Sequence, residues 1–150
     1  LRQLEIVHTH VHDSGRQHLA GLKKLRQLHI HGPSTTAAAL PCVGDLQQLY
    51  ELDVYDRPAS NQTLEQISRL TNLRFLMLPS GIFDDDGVHH LAKNVMLEEL
   101  TLDSEKLTDL SIPHLATLTN LHKLSLGRAR LTLAGRERLK ALLPKTEITP

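Results

Sequence analysis

The 150 residues carry 17 basic and 17 acidic side chains, so no net charge draws the chain to nucleic acid or to anionic membranes. Hydrophobic residues make up 40% of the chain, enough for a continuous core, and their runs fall short of the roughly 18 residues that a membrane span needs. Cys42 is the single cysteine, which excludes an internal disulfide and favours a reducing compartment such as the cytoplasm.

A short frame, Leu-x-x-Leu-x-aliphatic, recurs every 24 residues without insertion or deletion. Its six copies begin at Leu1, Leu25, Leu49, Leu73, Leu97 and Leu121. A period of about 20–29 residues is the signature of a solenoid in which each repeat forms one strand and one helical segment. Since neither segment buries its apolar face alone, neighbouring repeats must stack around one shared core.

Each repeat is predicted to run from an alternating strand through a capped corner into a short helix. In residues 1–24, Leu4-Glu5-Ile6 alternates inward and outward, and Asp13 is predicted to cap the helical segment. Asn61 is the corresponding cap of the third repeat, whereas Leu133 occupies that position in the sixth. In the fourth repeat Asn94 replaces an aliphatic residue, and we expect Val95 to turn inward in its place.

The chain ends in a further segment with strand character. Leu143-Pro144-Lys145-Thr146-Glu147-Ile148 predicts a short terminal strand near residues 145–149. Residues 1–150 are therefore expected to form a single repeat domain of six repeats and this strand. Because the chain starts directly on a repeat strand, we expect the domain to be a segment of a longer protein.

The repeats resemble those of leucine-rich repeat proteins over essentially the whole chain. Thr9-x-Val11-x-Asp13-x-Gly15 and Leu107-Thr108-Asp109 are similar to the 24-residue class of bacterial, planctomycete-type and F-box-associated arrays, related to ribonuclease inhibitor. The resemblance implies an α/β fold, a right-handed solenoid with a parallel concave sheet and convex helices, and a role in protein binding. The family's ninth-position side chains, which bond neighbouring loops, are mostly missing; the column reads Thr9, Pro33, Arg57, Gly81, Glu105 and Ala129.

Histidines are concentrated at the N-terminal end of the array. Glu5, His29 and Asp53 share the fifth position of consecutive repeats, so they are expected side by side on the concave face, about 4.8 Å apart. Together with His31 they form a candidate site for a divalent metal ion. The alternative is a solvated row of side chains with modest cross-strand attraction.

The third to fifth repeats gather the scarce aromatic residues, which are only 3% of the chain. Apolar anchors inside a charged border are typical of a protein interface. Six acidic residues accompany them against Arg74 alone, which favours a basic peptide or protein as partner. The candidate partner-binding residues are Tyr50, Asp53, Tyr55, Asp56, Phe75, Met77, Glu99 and Asp103.

No arrangement of residues in the sequence resembles a nucleophile elbow or a phosphate-binding glycine loop. The sequence therefore predicts a monomeric, non-enzymatic protein-interaction scaffold without a cofactor, binding neither nucleic acid nor membrane. Two alternatives stay open at this point. One is the metal site at the histidine-rich end, and the other is a purely structural spacer.

Overall fold

Seven parallel strands form one sheet in chain order. The computed structural model describes residues 1–7, 17–31, 43–55 and 58–150. The strands are β1 Gln3–Val7, β2 Gln27–His31, β3 Glu51–Tyr55, β4 Phe75–Leu78, β5 Glu99–Leu102, β6 Lys123–Ser125 and β7 Glu147–Thr149. Residues one period apart lie opposite each other, as Leu52 does Leu76 and Leu100 does Leu124. The predicted α/β solenoid with a parallel sheet is confirmed.

Short helices connect the strands and pack on one another in a second layer. They are α1 Asn61–Ile67, α2 Asp85–Leu91, α3 Ile112–Leu115 and α4 Leu133–Leu142, with 3₁₀ segments at Gln17–Gly21 and Asp109–Ser111. Each of α1 to α3 contacts the next helix in the series, while each strand contacts the next strand. Within the described ranges, no helix has the length and apolar character needed to cross a bilayer.

The core lies between these layers and is built from columns of equivalent residues. In β2 the side chains of Leu28 and Ile30 are buried, whereas those of Gln27, His29 and His31 are partly exposed. The same alternation in the neighbouring strands stacks leucine on leucine from repeat to repeat. Because burying one such side chain stabilises by about 1.5–3 kcal/mol, the columns supply the main driving force for stacking.

The helix caps lie one residue before the predicted position. Ser60, Asp84 and Thr132 cap α1, α2 and α4, and Thr108 caps the 3₁₀ segment Asp109–Ser111; each side chain accepts a backbone N–H bond from the first turn. The prediction of Asn61 as a cap is therefore wrong. Asp13 lies outside the described residues.

Instead, the side chain that follows each of the first three caps along the chain binds the next repeat. Asp85 accepts hydrogen bonds from the backbone N and Oγ1 of Thr108 at 2.9 and 2.6 Å. Asp109 accepts the same two bonds from Thr132, at 2.9 and 2.5 Å. We call the three contacts Asn61–Asp84, Asp85–Thr108 and Asp109–Thr132 the corner ladder. It links the corners of the third to sixth repeats.

Asn94 occupies the core, contrary to the expectation that Val95 replaces it there. Asn94 is fully buried, while Val95 is 48% exposed. The Asn94 amide Nδ2 donates to the backbone oxygens of Ile67 at 3.3 Å and Leu70 at 2.9 Å, in the preceding repeat. An asparagine is close to leucine in size and shape, so it keeps the leucine position and adds two bonds between repeats.

Candidate partner-binding surface

The outward side chains of the strands form what we call the open face of the sheet, the concave side of the predicted solenoid. A shallow groove of about 360 Å³ crosses the middle of this face, from β3 to β6. The buried leucines Leu52, Leu76 and Leu100 lie beneath the groove. The outward residues that line it are Glu51, Asp53, Phe75, Met77, Glu99, Thr101 and Lys123.

Four of the eight predicted partner-binding residues line the groove: Asp53, Phe75, Met77 and Glu99. Tyr50, Tyr55 and Asp103 lie on the same strands or at their ends but outside the groove lining. Asp56 lies outside the described residues. Lys123 also lines the groove, although it is not among the predicted partner-binding residues; it lies one period after Glu99 and directly beside it in the register.

An apolar patch marks the centre of the groove. Met77 is 39% exposed, and the Phe75 side chain beside it is partly exposed. The ring of Tyr50 meets that of Phe75 edge to face, with centroids 6.4 Å apart and planes at 72°. Such a pair holds both rings in a defined orientation, since their quadrupoles favour an edge-to-face arrangement. The patch therefore presents a preorganised apolar surface.

Histidine–carboxylate pairs occupy the open face on the N-terminal side of the groove. His29 Nε2 lies 2.9 Å from Glu51 Oε1, and His31 Nε2 lies 3.4 Å from Asp53 Oδ2. Burial raises the pKa of Asp53, an effect that the neighbouring His31 offsets only in part. The His31 ring also contacts that of Tyr55 edge to face at 4.8 Å. Burial, followed by the charge of Asp53, raises the pKa of Tyr55.

The predicted metal ligands are neighbours in the sheet but do not gather around one point. Glu5, His29 and Asp53 lie opposite one another in the register, as expected. The imidazole of His29, however, contacts Glu51, and that of His31 contacts Asp53. Across the described ranges, no group of three or more His, Cys, Asp or Glu side chains is arranged to hold a metal ion. The histidines at 8, 10 and 12 lie outside those ranges.

Cations from the same face neutralise much of its acidic border. Arg74 Nη1 lies 3.0 Å from Glu98 Oε1. Arg128 Nε lies 2.7 Å from Asp103 Oδ1, and its Nη1 lies 3.1 Å from Glu105 Oε1. These ion pairs fix the orientation of the carboxylates and reduce the negative electrostatic potential of the border. The count of six acids to one base therefore overstates the negative charge that a partner would meet.

Comparisons with known proteins find similarity in fold. No protein-family model matches the chain, and no curated protein matches it. An internalin F from Listeria monocytogenes superposes with a TM-score of 0.74 at 25% identity, covering 89% of this chain and 36% of that one. An internalin C2 from the same organism gives 0.73 at 24% identity, covering 89% of this chain and 54% of that one.

A leucine-rich repeat protein from Leptospira interrogans is similar at a TM-score of 0.54 and 20% identity, covering 88% of this chain and 38% of that one. The chain thus spans between about a third and just over half of these solved structures. What is shared is the repeating strand-and-helix architecture. The similarity is one of fold, and the chemistry of the open face rests on this chain's own side chains.

Proposed function

We propose that this chain, a leucine-rich repeat protein, is a non-enzymatic module that binds another protein or a peptide across the groove on its open face. The observation that carries the proposal is the apolar patch on this largely polar face, where Phe75 and Met77 line the groove and Tyr50 packs against Phe75 beside it. Open, shallow surfaces with such anchors favour macromolecular partners over small molecules, which occupy concave and largely enclosed sites.

The energy of binding is expected to come from these anchors. A few well-packed aromatic side chains dominate most interfaces, and alanine truncation of one commonly costs more than about 1 kcal/mol. Because Tyr50 already contacts Phe75, little rotamer freedom is lost when a partner docks. The flexible thioether of Met77 adapts to the shape of an apolar partner side chain.

Charge plays the smaller part in this proposal. Glu51 already contacts His29, and Glu99 lies beside Lys123 in the sheet register. A basic partner would still gain from the remaining carboxylate oxygens, but only weakly, because exposed pairs contribute about 0–1 kcal/mol each. We therefore propose a partner with apolar side chains flanked by basic ones, whose affinity depends little on salt.

The test begins with selection of binding peptides from a displayed random library on the immobilised chain. Selected peptides are then measured against Phe75→Ala and Met77→Ala, each of which removes an apolar anchor of the groove. Each change should weaken binding by more than about 1 kcal/mol, roughly fivefold, with an unchanged circular dichroism spectrum. Gln66→Ala and His90→Ala are matched controls on the helical layer, and peptides should bind them as they bind the wild type.

The opposite pattern would refute the site. Peptides that bind Phe75→Ala and Met77→Ala normally but lose affinity for Gln66→Ala or His90→Ala would place the interface on the helical layer. Salt gives a second, independent check on the energetic argument. An affinity that collapses between low and physiological ionic strength would mean that the carboxylates, and not the apolar patch, dominate binding.

A further inference from the structure

Two imidazoles from neighbouring repeats meet on the helical layer, on the side opposite the proposed groove. His89 belongs to α2 and is exposed, and His114 belongs to α3 and is half-buried. Their Nδ1 atoms lie 3.4 Å apart, and their ring centroids lie 4.8 Å apart. The partner-binding proposal makes no use of this pair.

We infer that His89 and His114 form a two-histidine binding site for a divalent transition-metal ion such as Zn²⁺. Zinc binds imidazole nitrogen at about 2.0–2.1 Å in tetrahedral geometry, which places two such ligands about 3.3 Å apart. The observed separation of 3.4 Å between the two Nδ1 atoms matches that spacing. Imidazole ligands favour Zn²⁺, Ni²⁺ and Cu²⁺ over the oxygen-seeking Ca²⁺ and Mg²⁺.

Without a metal ion the two rings can share a long hydrogen bond, with one ring donating. At 3.4 Å the nitrogens are separated by more than the 2.9–3.0 Å typical of a good N–H bond to an acceptor. A bond would also need one ring to carry its proton on Nδ1 and the other on Nε2. A metal ion would instead accept both Nδ1 lone pairs at once, at a separation that the two rings already have.

The backbone positions the two ligands in advance of metal binding. Val88 and Leu91 of α2 and Leu115 of α3 are fully buried, so the two helices are fixed by the core. Sites carried by such rigid elements bind metals with less loss of freedom than sites on loops. Asp86, exposed three residues before His89 on α2, adds negative charge beside the site.

The site as it stands offers two protein ligands. His90 contacts His89 with ring centroids 5.9 Å apart and does not complete a third ligand position. Among the side chains that the structure describes, no three potential ligands converge here or elsewhere. Water would fill the remaining positions, so the ion should exchange readily and bridge the helical layer of two adjacent repeats.

The experiment follows the imidazole resonances of the full-length chain by NMR during titration with zinc chloride, at mildly alkaline pH where imidazoles are neutral. Residue-specific signals separate this site from the other histidines of the chain. His89 and His114 should shift together with one shared midpoint. His114→Gln should raise the zinc midpoint for His89 by about tenfold or more, the loss expected when a second ligand disappears.

His90→Gln is the matched control, because it removes the neighbouring imidazole and keeps the pair. It should leave both midpoints unchanged. Three results would overturn the proposal: His89 and His114 with different midpoints, a His89 midpoint that survives in His114→Gln, or no shift of either ring. Backbone spectra of the variants check that α2 and α3 remain folded.

Discussion

Replacing Asn94 with leucine is expected to stabilise the array, although it deletes two hydrogen bonds between repeats. The Asn94 amide donates to the backbone oxygens of Ile67 and Leu70. Both oxygens also accept backbone bonds, from the N–H groups of Leu70 at 2.9 Å and Leu73 at 3.1 Å. Losing the amide would therefore leave neither of them unpaired. The loss is about 0.5–1.5 kcal/mol for each bond, or about 1–3 kcal/mol in all.

Two gains oppose that loss. Within the described part of the chain, Asn94 Oδ1 is buried without a hydrogen-bond partner, and such an oxygen costs about 1–3 kcal/mol. A buried leucine side chain adds up to about 2 kcal/mol of apolar transfer energy. Leu70 and Leu118 hold the equivalent position in the flanking repeats and are fully buried, so the column accommodates leucine. The balance favours Asn94→Leu by about 1 kcal/mol.

Urea denaturation followed by circular dichroism measures the difference. The midpoint should rise while the slope m stays constant, since the same surface is exposed on unfolding. Asn94→Asp is the contrasting variant, because a buried carboxylate facing two backbone oxygens should destabilise by about 2 kcal/mol or more. If Asn94→Leu instead destabilises by more than about 1 kcal/mol, the two bonds to the preceding repeat outweigh both the unpaired oxygen and the added apolar surface.

Two predictions address the corner ladder. The bonds from Thr132 lower the pKa of Asp109 below its usual value. Ionised Asp109 therefore stabilises the fold at pH values above the usual pKa, and this stabilisation is lost as the pH falls through the lower pKa of the folded state. Asp109→Asn should therefore flatten the fall in melting temperature between about pH 5 and about pH 2; an unchanged acid profile would contradict this. A Cβ at position 135 would lie well inside contact distance of Asp109 Oδ1, so Gly135→Ala should displace the carboxylate from Thr132 and destabilise by about 1–3 kcal/mol. A Cβ at position 21 would meet no atom within 4 Å, so Gly21→Ala should not destabilise the fold in this way. Equal effects of the two alanines in chemical denaturation would refute the close packing at Gly135.

The zinc titration and the peptide variants test opposite faces of the same array. Binding at His89 and His114 should be independent of Phe75, since the two sites lie on different layers. Failure of one proposal therefore leaves the other standing. The stability variants are informative whichever surface binds a partner.

The open face was predictable in part. Its register follows from the period alone, so the spacing of 24 residues is enough to place Phe75, Glu99 and Lys123 side by side. Side-chain pairing on that face could not be predicted in the same way. Arg128 is the eighth residue of its repeat, whereas Asp103, with which it pairs, is the seventh residue of the repeat before. A comparison of equivalent positions in successive repeats does not match these two residues.

The sequence by itself determined the period, the register of the parallel sheet and the identity of the core, because every repeat buries leucines at the same positions against its neighbours. The tertiary structure alone decided where polar side chains find their partners. Asn94 is buried, and not Val95, because carbonyl oxygens of the preceding repeat lie within reach of its amide. Asp109 bonds the next repeat, and not its own helix, because Thr132 presents two donors there. Burial depends on spacing along the chain, whereas hydrogen bonding depends on distances between atoms that only stacking brings together.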